Sequence, residues 1–205
     1  MSEQNTAESK AAPRRIIVGI SGASGFIYGV RLLQMLQPLD IETHLIVSKS
    51  AQTTMAYETE WKIADVLALA DRHHRHDDLA ACISSGSYRT LGMVVAPCSM
   101  KTLADIASAN SATLIARAAD VVLKERRRLV LLTRETPLHA GHLRNMLAAT
   151  EMGAIVAPPV PAFYAKPATL DDMIGHTLGR VLDLFDLDAG GVRRWVGSSR
   201  GDEPA

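Results

Sequence analysis

The stretch Arg15-Ile-Ile-Val-Gly-Ile-Ser-Gly-Ala-Ser-Gly25 decides the fold of this chain. Its first half is a compact apolar run of strand length, and the glycines that follow predict a tight loop. Beyond the loop, apolar residues recur at helical spacing: Phe26, Val30, Leu33 and Leu36. A buried strand, a glycine-rich turn and a helix in this order predict the first half of a βαβ unit.

The same alternation continues to the end of the chain. Further strands are predicted at 41–47, 92–96, 129–133 and 154–157, and a closing helix at roughly Leu170 to Leu187. Strands that are continuous apolar runs separated by helices indicate a parallel sheet covered on both faces. We therefore expect one doubly wound, three-layer α/β domain.

Length and composition agree with a single domain. The 205 residues suffice to bury a hydrophobic core without disulfides or metal ions. We expect one domain over 14–196, between disordered tails at 1–13 and 197–205. The 22 basic and 22 acidic side chains give zero net charge, which argues against a nucleic-acid or membrane surface. Two cysteines, Cys82 and Cys98, lack zinc-site spacing. With neither a signal peptide nor an apolar span in the sequence, a cytoplasmic protein is expected.

Ligands of such sheets bind beyond the carboxyl ends of the strands. The loop Ser21–Gly25 could let a backbone approach a phosphate at a helix N-terminus. It is not G-x-G-x-x-G, and the second strand ends in Ser48-Lys49 instead of the acidic residue that grips a nicotinamide ribose. A tight turn without a ligand stays open as the alternative.

A second candidate loop follows the strand at 92–96. Ser99 is a plausible N-cap, and the hydroxyls of Ser99 and Thr102 with the ammonium of Lys101 could hold an anion. Ordinary capping is equally compatible with these residues. Cys98 is expected to be a small buried apolar group.

Charged residues cluster in the second half of the chain. Arg117, Asp120 and Lys124 share one helical face, with Asp120 one turn from each cation. A solvated ion-paired face is the alternative there, and Arg126–Arg128 are interpreted as cations at a helix C-terminus. Arg134-Glu135 ends a buried strand, where a charged pair needs a partner or a function.

The remaining polar residues have plainer interpretations. Arg180 alone is typical of a surface arginine whose stem packs on apolar neighbours. His73–His76, mixed with Arg and Asp, is interpreted as a solvated loop and not as a metal site. His139 and His142 are interpreted as structural histidines on a helix. The set as a whole predicts a phosphorylated ligand at the carboxyl edge of the sheet, with proton transfer from a Glu.

In chain order these segments resemble a known family. The segments that carry the resemblance are Gly19–Gly25, Tyr28-Gly29, Ser48–Gln52, Glu58-Thr59, Ser84–Ser87, Ala96–Thr102, Arg117–Asp120, Leu123–Arg127, Arg134–Pro137 and Pro161–Tyr164. They are similar to the UbiX-type flavin prenyltransferases from Arg15 to about Trp195. The resemblance implies a flavodoxin-like, Rossmann-like domain in a homododecamer that needs no metal.

The resemblance also implies a reaction. Reduced FMN receives a dimethylallyl group from dimethylallyl phosphate at N5 and then C6, and the prenylated FMN serves UbiD-type decarboxylases. The FMN contacts carried over from the family are Gly22, Ala23, Ser24, Ser48, Ser99, Met100, Lys101, Thr102 and Arg134. The prenyl phosphate would be held by Tyr164, Arg180, Arg117 and Lys124.

Catalytic roles carried over by the resemblance fall on four residues. Ser24 would assist proton movement near the flavin N5, Glu135 would protonate the departing phosphate, and Glu58 would complete the site from a neighbouring subunit. Lys124 would stabilise the phosphate. Two alternatives remain: an FMN-dependent cysteine decarboxylase of the same fold, whose His base is not located here, and a non-catalytic flavin carrier.

Overall fold

The computed structural model describes residues 14–194. Within them one parallel sheet is formed by β1 (Arg15–Ile20), β2 (Glu42–Val47), β3 (Arg72–His74), β4 (Gly92–Cys98), β5 (Arg128–Thr133) and β6 (Ile155–Val156). The helices are α1 (Phe26–Leu36), α2 (Lys49–Glu58), α3 (Ile63–Leu67), α4 (Met100–Ala107), α5 (Leu114–Lys124), α6 (Ala140–Glu151) and α7 (Leu170–Asp183), with 3₁₀ turns at Cys82–Ser84 and Phe163–Ala165. The tails predicted at 1–13 and 197–205 lie outside the described residues.

The predicted doubly wound parallel sheet is confirmed, with strand order β3-β2-β1-β4-β5-β6. The five strands other than β3 have the flavodoxin-like order, and β3 at the edge completes the Rossmann order. The sequence did not predict β3, because Arg72-His-His74 is short and polar and carries no hydrophobic signal. It pairs in parallel with β2.

Alternate residues of the strands fill two cores, one on each face of the sheet. Val18 faces a core with Phe26 and Leu33 of α1, and Ile17 faces the other core with Val122 of α5. Helix α1 presents the apolar stripe predicted for it, and it ends just before Gln37-Pro38 because Pro38 has no N–H with which to continue the helix. Full burial of a side chain such as Leu33 stabilises the fold by about 1.5–3 kcal/mol.

Helix α7 is shorter than predicted. It ends at Asp183, although the apolar pattern that suggested Leu187 continues through Phe185 and Leu187, which are both buried. The backbone turns at Asp186, whose φ of 58° is left-handed, and Leu187 N then donates to Leu182 O. Buried apolar residues therefore continue beyond the end of the helix, and their spacing alone does not mark where it ends. Within the described residues no helix is long and apolar enough to cross a membrane.

Candidate functional site

The sheet reverses its winding between β1 and β4, and Ser21 joins the two loops at this point. Its Oγ donates to the carbonyl of Pro97 at 2.9 Å and accepts from the Ser99 N–H at 2.8 Å. Ser21 is buried. The crevice at such a reversal is where open α/β sheets bind ligands. The sequence did not single out Ser21, because one serine after a strand gives no specific signal.

A cleft of about 570 Å³ opens above this reversal. The cleft is lined by Gly22, Ser48, Lys49, Ser50, His76, Ser99, Met100, Lys101, Thr102, Asp105, Thr113, Ile115 and Glu135. Seven residues predicted from the sequence for the site are therefore brought together from loops after β1, β2, β4 and β5. Its volume lies within the range of small-molecule and cofactor sites, about 300–1,000 Å³.

Three helix N-termini meet at this cleft, each capped by a hydroxyl. Ser48 Oγ accepts from Ala51 N at 3.1 Å, Ser99 Oγ accepts from Thr102 N at 3.2 Å, and Thr113 Oγ1 accepts from Ala116 N at 3.3 Å. The predicted cap at Ser99 is thus confirmed. The unpaired N–H groups and dipoles of α2, α4 and α5 favour negative charge in the cleft.

Gly22 lets the backbone of the first loop close against the start of α2. A Cβ at this position would lie 2.3 Å from Ser50 Oγ and 2.5 Å from Ser50 Cβ. Gly25, three residues on, has a left-handed φ of 96° and precedes α1. The two glycines thus serve different purposes, close approach at Gly22 and backbone conformation at Gly25.

Glu58 closes the other side of the first loop. Its Oε2 accepts from Gly25 N at 2.8 Å and Phe26 N at 3.1 Å, and its carboxylate also bonds the Ser24 hydroxyl. Burial tends to raise the pKa of Glu58, but the Ser24 bond, the two N–H groups and the charge of Arg134 together lower it below its usual value. These partners lie in Glu58's own chain, and its role in completing the site of a neighbouring subunit stays a prediction.

Arg134 and Glu135 are exposed just past the end of β5. The pair predicted to need a partner or a function is not buried, because the strand ends at Thr133 and the two side chains stand at the rim of the sheet. The Arg134 N–H donates to the Cys98 carbonyl at 3.0 Å, and Glu135 Oε1 accepts from Thr136 N at 3.0 Å. Cys98 is buried as expected, and burial raises the pKa of its thiol.

Arg117 and Lys124 do not reach this cleft on their own chain, as far as residues 14–194 show. Arg117 pairs with Asp120 at 2.7 Å and donates to the Ser84 carbonyl at 3.1 Å. Lys124 pairs with Glu125 at 2.5 Å, so the predicted pairing with Asp120 is corrected. Lys124 lies ten residues beyond the start of α5, about 15 Å along the helix axis.

In the arginine run that follows α5, Arg127 is half-buried and so less solvated than predicted, whereas Arg126 and Arg128 are exposed. Arg127 donates to the carbonyls of Gly86 at 2.6 Å and Tyr88 at 2.9 Å and so fixes the loop near Arg117. Arg128 begins β5 and pairs with Asp186 at 2.6 Å. The interpretation as helix-terminal cations is therefore wrong for these two residues.

Tyr164 and Arg180 form a third group. The Tyr164 ring meets His176 of α7 edge-on, and Arg180 lies one turn beyond His176 and pairs with Asp183 at 2.6 Å. Arg180 is exposed, as its surface interpretation required. Neither residue is among the described residues that line the cleft. One copy of the chain therefore holds the predicted site residues in three separate places.

Two histidine interpretations change. His73 and His74 belong to β3, so the loop prediction was wrong for these two residues, whereas His76 lies in a turn, is half-buried and lines the cleft. His139 precedes helix α6 as its N-cap, with Nδ1 accepting from Gly141 N at 3.0 Å, and its ring lies 3.6 Å from that of His142. Sequence spacing could not distinguish a cap from a first helical turn.

The fold and cleft define a Rossmann-type α/β protein that binds a phosphorylated ligand at the carboxyl edge of its sheet. The family model described as Flavoprotein matches residues 4–181. Flavin prenyltransferase UbiX of Thauera aromatica is 55% identical over 184 residues, which cover 90% of this chain and 95% of that protein. The chain belongs to the UbiX-type flavin prenyltransferases and is a transferase.

Solved structures agree with the sequence relatives. The crystal structure of AnUbiX (PadA1) in complex with FMN and dimethylallyl pyrophosphate has a TM-score of 0.89 and 54% identity, covering 92% of this chain and all of that one (100%). The dodecameric FMN-dependent Ubix-like decarboxylase from Escherichia coli O157:H7 has a TM-score of 0.87 and 54% identity, covering 89% and 100%.

Proposed function

We propose that this chain binds reduced FMN in the cleft and joins to it a dimethylallyl group from dimethylallyl phosphate, at N5 and then C6. The observation that carries the proposal is the convergence of three capped helix N-termini on a cleft of about 570 Å³, beside a Gly22 that has no room for a side chain. A flat ring system with a phosphate tail has the shape and charge that such a cleft accepts.

The FMN contacts fall on the loops after the central strands. Gly22, Ala23 and Ser24 would meet the ligand through the first loop, and Ser48 and Arg134 from either side. The loop after β4 would contribute Ser99, Met100, Lys101 and Thr102. Lys101 and Thr102 stand in the first turn of α4, where the helix dipole adds to their attraction for a phosphate.

When bound, the reduced flavin supplies the nucleophilic atoms of the reaction. The protein must then stabilise the negative charge that grows on the departing phosphate. Arg117, Lys124, Tyr164 and Arg180 would hold that phosphate, and each well-placed donor contributes about 2.7–4 kcal/mol in comparable sites. Glu135 at the rim of the cleft would give it a proton. Ser24 and Glu58, already hydrogen-bonded, would move a proton near the flavin N5.

These phosphate-binding side chains lie away from the cleft of their own chain. We therefore propose that neighbouring copies supply them, in a homododecamer, so that each site is completed by more than one chain. Exposed apolar side chains near the third group, Phe163 at 74% and Leu170 at 72% exposed, agree with burial against another copy. The product would pass to a UbiD-type decarboxylase.

Anaerobic turnover tests the reaction. The protein is incubated with reduced FMN and either dimethylallyl monophosphate or diphosphate, and the flavin is then weighed by mass spectrometry. We expect a flavin heavier by one dimethylallyl group, and comparison of the two donors identifies the one used. Glu135→Gln should retain FMN and lose turnover. An unchanged flavin mass with FMN bound contradicts the proposal, and full turnover by the variant contradicts the role of Glu135.

His76 in the cleft keeps one alternative open, oxidative decarboxylation of a peptidyl or pantothenoyl cysteine. That reaction needs a His base near the flavin and would reduce oxidised FMN when the thiol is added. We expect no bleaching of the flavin absorbance, with or without His76→Ala. Bleaching by the wild-type chain that is lost in the variant would favour the decarboxylase. A mere flavin carrier would leave the flavin unmodified and be insensitive to Glu135→Gln.

We also propose a cytoplasmic location. Cys82 and Cys98 are both free thiols, which agrees with a reducing compartment. Cell fractionation with detection of the native chain tests this, and recovery with the membrane or secreted fraction would contradict it.

A further inference from the structure

A second cluster of chemically active side chains lies outside the cleft. His44 of β2, His74 of β3 and Cys82 of the first 3₁₀ turn have ligand-type atoms that all lie within 4.8 Å of one another. His44 is buried, and the other two are half-buried. His44 precedes Ser48 at the cleft by four residues, about 13 Å along an extended strand. The cluster is therefore separate from the proposed FMN site.

We propose that His44, His74 and Cys82 form a binding site for a zinc ion. Two imidazoles and a thiolate are the ligands that Zn²⁺ prefers, and three protein ligands leave the fourth tetrahedral position to water. The sequence spacing of the two cysteines excluded a zinc motif, but here Cys82 is joined by histidines from two adjacent strands.

The partners of His44 orient its ring for this role. His44 Nε2 lies 3.2 Å from Glu42 Oε1, and 3.2 Å from the Tyr88 hydroxyl. A histidine that donates one N–H to a carboxylate presents its other nitrogen to a metal, as in carboxylate–histidine–zinc arrangements. Nδ1 of His44 is thus the ligand atom, and it faces His74 Nε2 at 2.9 Å.

The remaining surroundings hold this arrangement in place. Glu42 is itself bound by Arg15 at 2.9 Å and Arg72 at 2.8 Å, so its carboxylate is fixed and its charge is largely neutralised. Tetrahedral zinc with bonds of about 2.0–2.1 Å would separate the two histidine nitrogens by about 3.4 Å. The two nitrogens, now 2.9 Å apart, would separate by about half an ångström, and Cys82 Sγ, which lies within 4.8 Å of both, would stand about 3.6 Å from each in the same geometry. On binding, the ion replaces the proton shared by His44 Nδ1 and His74 Nε2 and the proton of the Cys82 thiol, and both protons are released to solvent.

Zinc titration of the untagged full-length chain in competition with a chromophoric chelator tests the site, with Co²⁺ as a spectroscopic probe. We expect one Zn²⁺ per chain, a near-ultraviolet thiolate-to-cobalt charge-transfer band, and a higher melting temperature with zinc. Cys82→Ser should abolish the band and weaken zinc binding at least tenfold, and His74→Gln should weaken it similarly. His73→Gln is the matched control, because His73 is exposed and adjacent on the same strand.

Both test residues are half-buried, so the variants can be checked for folding by their metal-free melting temperature and FMN binding. Loss of zinc binding in Cys82→Ser and His74→Gln, with retention in His73→Gln, supports the site. Absence of stoichiometric zinc binding by the wild-type chain overturns the proposal. So does wild-type affinity in the Cys82→Ser variant.

Discussion

At the scale of single residues, the cleft depends most directly on the missing side chain of Gly22. We expect Gly22→Ala to weaken FMN binding by at least about tenfold, or about 1.4 kcal/mol. The added Cβ would meet Ser50 Oγ at 2.3 Å and must push the start of α2 away from the ligand. Fluorescence titration of FMN measures the change.

Gly175→Ala is the control for this substitution, because a Cβ there meets nothing within 4 Å. Alanine in place of a helical glycine should leave FMN binding unchanged and raise stability by up to about 1 kcal/mol. Equal FMN affinity for Gly22→Ala and the wild type would contradict the close approach inferred for the first loop.

Glu58 gives a prediction about pH. Its pKa is lowered in the folded state, so it binds a proton less readily there than in the unfolded chain. It therefore adds stability above its ordinary pKa, and this contribution is lost as pH falls through the lowered value. Because the group is largely exposed to solvent, we expect less than about 1 kcal/mol. Urea unfolding should show that Glu58→Gln is less stable than wild type near neutral pH.

The difference between wild type and Glu58→Gln should shrink in acid, as the wild-type carboxyl takes up its proton. Glu60→Gln, exposed and two residues away, serves as the control. A difference that stays constant or grows as the pH falls would contradict the assigned bonds from Ser24, Gly25 and Phe26.

The sequence predicted residue types better than residue partners. Seven predicted residues line one cleft because they follow strands of one parallel sheet, and the strands, although not their order, were readable from the apolar runs. The partners of Glu58 and Lys124 were not readable, since each depends on a side-chain rotamer and a neighbouring loop. Likewise His44, His74 and Cys82 meet only because β3 adds to β2 at the edge of the sheet.

At the scale of elements, Ser21 ties the loop after β1 to the loop after β4. Ser21→Ala would leave the part-buried Ser99 N–H without the Oγ that now accepts its bond at 2.8 Å. We expect a loss of about 1–3 kcal/mol in the free energy of unfolding, together with weaker FMN binding. Ser108→Ala, whose exposed Oγ bonds carbonyls of its own helix, should cost less than about 0.5 kcal/mol. An equal loss of unfolding free energy in the two variants would contradict the role of Ser21 in joining the two loops.

Element boundaries differed from the prediction at two places where the apolar pattern of the sequence does not follow the secondary structure. The edge strand β3 is polar because one side of it faces no further strand of the described sheet, and α7 ends before its apolar pattern does. Two helix starts were predicted correctly, the cap at Ser99 and the start of α7 at Leu170. Ser48, Ser99 and Thr169 each accept a bond from the first helical turn, as their side chains allow.

At the scale of the whole molecule, the predicted site residues occupy three places on one chain. The cleft holds Glu135, the first turn and the end of α5 hold Arg117 and Lys124, and the region of α7 holds Tyr164 and Arg180. The zero net charge of the chain gives no sign of these cations, which lie in separate places on one chain. Symmetric assembly is the simplest way to bring such patches to one ligand.

The central claim, that one active site is built from more than one copy of the chain, is tested by mixing two inactive variants. Glu135→Gln and Arg117→Ala are co-expressed, and the mixed oligomers are assayed by the mass of the flavin they produce. If the two residues of a site come from different chains, about a quarter of the sites in a random assembly hold both wild-type residues. The account predicts that activity returns to roughly that fraction of wild type, whereas a mixture as inactive as either variant alone would contradict it.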